Sequence, residues 1–256
     1  MIDPRAIVAP DAEIGDGVEI GPFAVIGSGV RIGAGCWIGT HAVVNGPTTL
    51  GRDNKVFQFA SVGDAPQDRK YAGEPTKLEV GDRNVFREFC SINRGTVGGR
   101  GTTTIADDCL FMAYSHVAHD CIVGSHCIMS NCTALAGHVE LGDWVILSGY
   151  AGIHQFCKVG AHSFLANNAA VTRDVPPYLL VAGSPAEPKG VNSEGLKRRG
   201  FDAAQIANIK NAYRLFYRSG LKRVDAEAEL RALVPSQPEL KPFVDFLAAS
   251  ERSIIR

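Results

Sequence analysis

A chain of 256 residues, 45% hydrophobic and with a formal net charge of −1, is long enough to bury a core but offers no basic footprint for nucleic acid. Its opening Met1-Ile2-Asp3-Pro4-Arg5 lacks the basic and apolar regions of a secretory signal, and no stretch approaches the roughly 18 unbroken apolar residues of a membrane span. Seven cysteines without such a signal point to free thiols in a reducing, cytoplasmic setting.

From the N-terminus the chain repeats in hexads. Steps of six from Ile2 meet Val8, Ile14, Ile20, Ile26, Ile32, Ile38, Val44, Leu50, Val56 and Val62. The same phase resumes at Val80, Phe86 and Ile92, then shifts by one and runs from Ile105 through Phe111, Val117 and Val123 to Val171. Two residues before each lies a smaller inward side chain, such as Ala24, Cys36, Cys109, Ser115, Cys121 or Ala151. A helix would repeat its apolar stripe at about 3.6 residues, so each hexad reads as a short strand. Glycine often follows the large residue (Gly15, Gly33, Gly51, Gly63, Gly142), and a positive-φ turn is expected there. So short a strand is buried only by stacking on copies of itself. The pattern resembles the hexapeptide-repeat transferases. That resemblance implies a mainly β fold, a left-handed parallel β-helix, with three hexads in each 18-residue coil.

Two interruptions break the repeat. The first, 64–77, is dense in charges of both signs, which favours function over the bland reading of a tolerated insertion; the second, 94–102, is rich in glycine and is given no role. Near Val171 the hexads stop, and Val175-Pro176-Pro177 should end the ladder. Helices follow: Asp202 with Gln205 forms a capping box ahead of Ile206, Ile209, Tyr213 and Phe216, and Gly220 is a stop. Two more are expected at 225–233 and 238–249, all capping the open end of the solenoid. The expected domains are a β-helix over 1–190 and a small C-terminal α-helical domain over 191–256.

Six cysteines fall on the small inward position; only Cys132 does not. That argues against a thiol nucleophile and against a zinc site built from His116, His119 and Cys121. His119 lies two residues past inward Val117, off the core. With 18 residues per coil, Gly137 stacks over His119 and Gln155 over Gly137, with His138 and His154 flanking. A base and a backbone donor would then stand about 5 Å apart. Asp120 could orient the imidazole, although neighbouring strand residues normally diverge. Four of the seven histidines gather here, which favours function over chance. Lys197-Arg198-Arg199 is a basic knot suited to an anionic group. There is no P-loop and no dinucleotide fingerprint.

Several longer strings carry a closer resemblance: Gln67-Asp68 with Lys70-Tyr71-Ala72-Gly73-Glu74-Pro75-Thr76, His116-Val117-Ala118-His119-Asp120-Cys121, Leu135-Ala136-Gly137-His138, His154-Gln155-Phe156-Cys157, Asp174-Val175-Pro176-Pro177-Tyr178, and Gly195 through Phe201. Together they resemble the acyl-carrier-protein–UDP-N-acetylglucosamine O-acyltransferases, over the whole chain. The resemblance implies the first step of lipid A synthesis: transfer of a 3-hydroxyacyl group from acyl carrier protein to the glucosamine 3-position of UDP-N-acetylglucosamine. It implies a homotrimer with sites between subunits and no cofactor or metal. His119 would be the general base, Asp120 its support and Gly137 the oxyanion amide. Asp68, Lys70, His116, His138, His154 and Gln155 would hold the sugar and phosphates; Asn192, Glu194 and Arg199 the nucleotide; Arg198 the carrier protein. Two positions depart from the family pattern. Asn167 stands where a glycine admits longer acyl chains, so a shorter chain is expected. Asn93 replaces a histidine, which leaves a 3-amino acceptor open. A zinc hydratase using His116, His119 and His138 across a subunit boundary is the enzyme rival. A trimeric scaffold that only binds is the other.

Overall fold

The hexads do form coils. The structure, a computed structural model, describes residues 1–250 and 253–256. Among the described residues, strands mostly two residues long alternate among three sheets of nine, eight and ten strands, parallel except for the final hairpin strand. Ile7 pairs with Val25 and Val25 with Val43, an advance of 18 residues per coil. The chain is a left-handed parallel β-helix with a small helical end. The first sheet runs from Ile7–Val8 to Ala170–Val171, the second from Glu13–Ile14 to Lys158–Val159, and the third from Glu19–Ile20 to Glu187–Val191.

Core and register follow the repeat. From Ile20 to Val171 every large inward residue is buried, and six of the seven cysteines are buried beside them. Each large inward side chain contributes about 1.5–3 kcal/mol on leaving water. Pairing continues across both interruptions, Ser61 with Ser91 and Ser91 with His116, with a register slip between Val62 and Asp64 where the first loop leaves.

The glycines behave differently from expectation. Of the glycines that follow a large inward residue, only Gly63 has positive φ, at +80°. The others provide clearance: a Cβ on Gly33 would lie 2.5 Å from the Gly51 carbonyl oxygen, and one on Gly142 2.7 Å from Ala161 N. The left-handed residue falls instead three positions past the large one. There Phe23, His41, Tyr114, Asp120, His138 and Trp144 hold φ between 56 and 62°. Such a conformation costs an L-residue about 1–2 kcal/mol. Stacking between coils offsets it: Phe59 and Phe89 lie 5.4 Å apart and Phe89 and Tyr114 4.9 Å apart, along one exposed corner.

At the C-terminal end, Val175 adds one more rung beside Val159 despite the prolines that follow. Leu179–Ala182 then pairs in parallel with Phe164–Leu165 and turns back as a hairpin with Glu187–Val191. Four helices follow: α1 (Ser193–Arg198), α2 (Ala203–Arg218), α3 (Arg223–Leu233) and α4 (Lys241–Ala249), the last entered through a 3-10 turn at Pro238–Leu240. The capping box at Asp202 and Gln205 is formed. The hairpin and α1 were not foreseen; the basic knot is the end of α1, whose Leu196 is buried. Tyr178 Oη donates to the Glu239 carbonyl (2.9 Å) and Ser250 Oγ to Asp174 (2.6 Å), tying the helices to the last coils.

Candidate active site

His119 sits at the corner between the first and second sheets, just past strand His116–Val117. Its Nδ1 lies 2.9 Å from Asp120 Oδ2, so Nδ1 donates to the carboxylate, and in the neutral ring this tautomer puts the lone pair on Nε2. Consecutive strand residues would diverge; here the φ of +61° at Asp120 turns its side chain back toward the ring. Asp120 is 1% exposed, yet it is well satisfied. Thr96 N donates to both carboxylate oxygens (3.1 Å each), Thr96 Oγ1 to Oδ2 (2.6 Å), and Arg100 N to Oδ1 (2.9 Å). Burial alone would raise the Asp120 pKa, but the bonds from Thr96 and His119 outweigh it and the net shift is downward.

Gly137 stands one coil above. A Cβ there would lie 2.5 Å from His119 Cε1 and 2.8 Å from Nε2, so only glycine admits the imidazole. Among the described residues its N–H has no acceptor. His138 follows, edge-on to His119 at 5.1 Å and stacked on Phe156 at 4.4 Å. Burial lowers the His138 pKa, against the opposing charges of Asp120 and Asp68. A recess of about 270 Å³ opens beside them, lined by Arg100, Asp120, His138, Glu140, Phe156 and Lys158.

Other expected residues take varied places. His116 is half-buried, with Nδ1 2.7 Å from Ser91 Oγ, and burial lowers its pKa. His154 is exposed and donates to the Gln155 carbonyl at 3.2 Å; Gln155 is exposed one coil above Gly137. Lys70 is exposed, and its backbone N–H donates to Asp68 (3.0 Å). Asn192, Glu194, Arg198 and Arg199 do not join this corner. They line a separate cavity of about 380 Å³ against Phe164 and Leu180 of the third sheet. There Asn192 caps α1, and Arg199 lies over the Trp144 ring at 5.2 Å. Burial and the Arg199 charge bring His162 down to about 4. Asn167 is exposed at the corner between the third and first sheets.

His119, Asp120 and His138 each bring a ligand atom within 4.8 Å of the others, close enough to share a cation. His116, which the zinc reading requires, is not in that group. The Asp120 oxygens and His119 Nδ1 are already engaged with one another and with the second loop. Cys121 is buried, and burial pushes its thiol up to about 12, which removes it as a nucleophile. Thr96 and Arg100 were missed in the sequence. The signal was the glycine density of their loop, which marks close backbone approach rather than slack.

Comparison with known proteins now bears on this geometry. The family profile described as "Udp N-acetylglucosamine O-acyltransferase; Domain 2" matches residues 174–255, and the bacterial transferase hexapeptide profile matches 1–28 and 102–137. The acyl-[acyl-carrier-protein]–UDP-N-acetylglucosamine O-acyltransferase of Thiobacillus denitrificans is 53% identical over 255 residues, covering 100% of this chain and 99% of that protein. That of Stutzerimonas stutzeri is 50% identical over 256 residues, with the same coverage. Among solved structures, the UDP-N-acetylglucosamine acyltransferase of Francisella novicida superposes with a TM-score of 0.98 at 40% identity, covering 100% of this chain and 94% of that one. The chain therefore belongs to the acyl-[acyl-carrier-protein]–UDP-N-acetylglucosamine O-acyltransferase family.

Proposed function

We propose that this chain transfers a 3-hydroxyacyl group from acyl carrier protein to the 3-position of UDP-N-acetylglucosamine, the first step of lipid A synthesis, by direct attack. One observation carries the reading: an imidazole whose Nδ1 is fixed by a buried carboxylate stands against a glycine of the next coil. His119 Nε2 takes the proton of the sugar hydroxyl as its oxygen attacks the thioester carbonyl. The Gly137 N–H stabilises the tetrahedral oxyanion, worth about 3 kcal/mol. Collapse breaks the C–S bond, and the imidazolium returns its proton to the departing thiolate. No protein nucleophile is needed, because a thioester is already activated.

Site division supports a homotrimer. The His119 corner and the Asn192–Glu194 cavity lie on different faces of one protomer, so a sugar nucleotide spanning both needs a neighbouring subunit. The exposed ring ladder of Phe23, His41, Phe59, Phe89 and Tyr114 is an apolar strip of the kind that subunits cover. In this reading the solenoid, 1–190, carries the chemistry. The basic residues of 191–256, Arg198 among them, meet the acidic carrier. No helix among the described residues is long and apolar enough to cross a membrane.

The test is product formation from UDP-N-acetylglucosamine and a panel of 3-hydroxyacyl carrier proteins. His119→Ala should lose roughly a thousandfold in turnover. Binding of both substrates without product would favour a scaffold. Asn167 is expected to favour short chains, and Asn167→Gly to extend the accepted length. A 3-amino sugar nucleotide offered in competition decides the acceptor; Asn93 is buried and donates to the Ala65 carbonyl at 2.9 Å, at the base of the first loop.

A further inference from the structure

Asp120 is a carboxylate nearly sealed from water, and the segment that seals it is the glycine-rich interruption to which the sequence assigned no role. A tolerated insertion has no reason to aim donors at a buried charge. This one aims three: Thr96 N, Thr96 Oγ1 and Arg100 N all donate to Asp120. Thr96 is itself 6% exposed, so it has no surface with which to meet a substrate. The loop is folded to make these contacts. Gly99 N and Gly101 N both donate to the Thr96 carbonyl, at 3.1 and 2.9 Å. A Cβ on Gly99 would come within 2.5 Å of both Asp120 Oδ2 and His138 Cε1, and one on Gly95 within 2.8 Å of Asp120 Oδ1.

We infer that Thr96 is a positioning residue for the acyl transfer: its hydroxyl and amide lock the Asp120 carboxylate in the orientation that receives the His119 Nδ1–H. The inference rests on the transferase reading above. A carboxylate has two oxygens and a rotatable Cβ–Cγ bond. Held only by His119, it could swing, admit water, and release the ring to its other tautomer, in which Nε2 carries the proton and cannot act as a base. With Thr96 in place, Oδ2 faces both the Thr96 hydroxyl and the His119 ring, at 2.6 and 2.9 Å. Arg100 N holds the opposite oxygen. Thr96 acts through Asp120 and touches neither substrate nor reacting atom.

The experiment is a double-mutant cycle on the full-length protein, with kcat and KM for UDP-N-acetylglucosamine measured at saturating acyl carrier protein. Thr96→Val keeps the shape and the N–H but removes the hydroxyl. It should lower kcat roughly ten- to a hundredfold with KM within about threefold, as for other groups that orient a functional side chain. Thr96→Ser should restore most of the loss. In an Asp120→Ala background, Thr96→Val should cost almost nothing more, because the group it serves is gone. Fully additive losses, a serine variant as slow as the valine one, or an effect on KM alone would each overturn the proposal. Should the valine variant not fold, Thr96→Ala takes its place in the same cycle. The His119→Ala control keeps the two readings apart. If that variant stays active, the transferase mechanism itself fails; if it is dead while Thr96→Val is fully active, only the role of Thr96 fails.

Discussion

The two loops that interrupt the coils look alike in sequence position and opposite in character. The first, between Asp64 and Lys77, carries charges that mostly face solvent. The second, 94–102, buries Gly95 and Thr96 against Asp120 and folds back so that Gly99 and the Arg100 N–H also meet that carboxylate, while Val97 through Arg100 keep exposed surface. Charge density made the first loop conspicuous. Yet it is the second that holds Asp120 by three donors and approaches His138 so closely that a Cβ would collide. In the proposed reading the first presents groups outward to a ligand, and the second braces the chemistry from behind. Arg94 joins them: it is 9% exposed, donates to the Gly46 and Gly63 carbonyls at 2.8 and 2.6 Å, and reaches Tyr71 of the first loop at 3.2 Å.

If that division is right, damage to the two loops should separate in the kinetics. Gly99→Ala forces a methyl against Asp120 and His138, and kcat should fall on the order of a hundredfold in steady-state assays, since small misplacements at a catalytic group are costly. A near-normal kcat would break the comparison. Lys70→Ala, in the exposed loop, should instead raise KM for the sugar nucleotide about tenfold and leave kcat nearly unchanged. Arg94→Met, which unties both loops and strands the Gly46 and Gly63 carbonyls, should raise KM and lower kcat each by a few-fold. Thermal unfolding should also show a loss of about 2–3 kcal/mol, because buried acceptors lose a charged donor. The smallest effect is electrostatic. The Asp68 charge favours protonated His138, so Asp68→Asn should move the His138 titration to lower pH. Histidine ring shifts followed by NMR across acidic pH would show it; an upward move contradicts that electrostatic influence.

The solenoid was legible because its signal is redundant: each inward residue is repeated every sixth position, and a single misfit such as exposed Ile2 changes nothing. The site was legible in part. Stacking arithmetic alone placed Gly137 over His119. It could not show Asp120 turning back to its neighbour, because that depends on a left-handed φ that aspartate rarely adopts unaided. The coil corner imposes that conformation on whichever residue falls there, so residue type was no guide. The glycines misled for the same reason, since clearance between coils depends on the neighbouring rung and not on local sequence. The six-residue helix α1 was missed because its start is marked only by Asn192, whose side chain accepts from Gly195 N at 3.2 Å.

The 18-residue advance also makes the molecule a screw with a fixed thread. Duplicating or deleting one full turn below the first loop, residues 11–28 for instance, would lengthen or shorten the shaft by one strand spacing, about 4.8 Å, and leave His119, Gly137 and Asp120 in register. Adding a single hexad would instead rotate everything beyond it by a third of a revolution, carrying the imidazole to another side of the shaft relative to the coils beneath. Length changes in this chain are therefore quantised: whole turns are admitted, segments looped outward are admitted, and fractions of a turn are not.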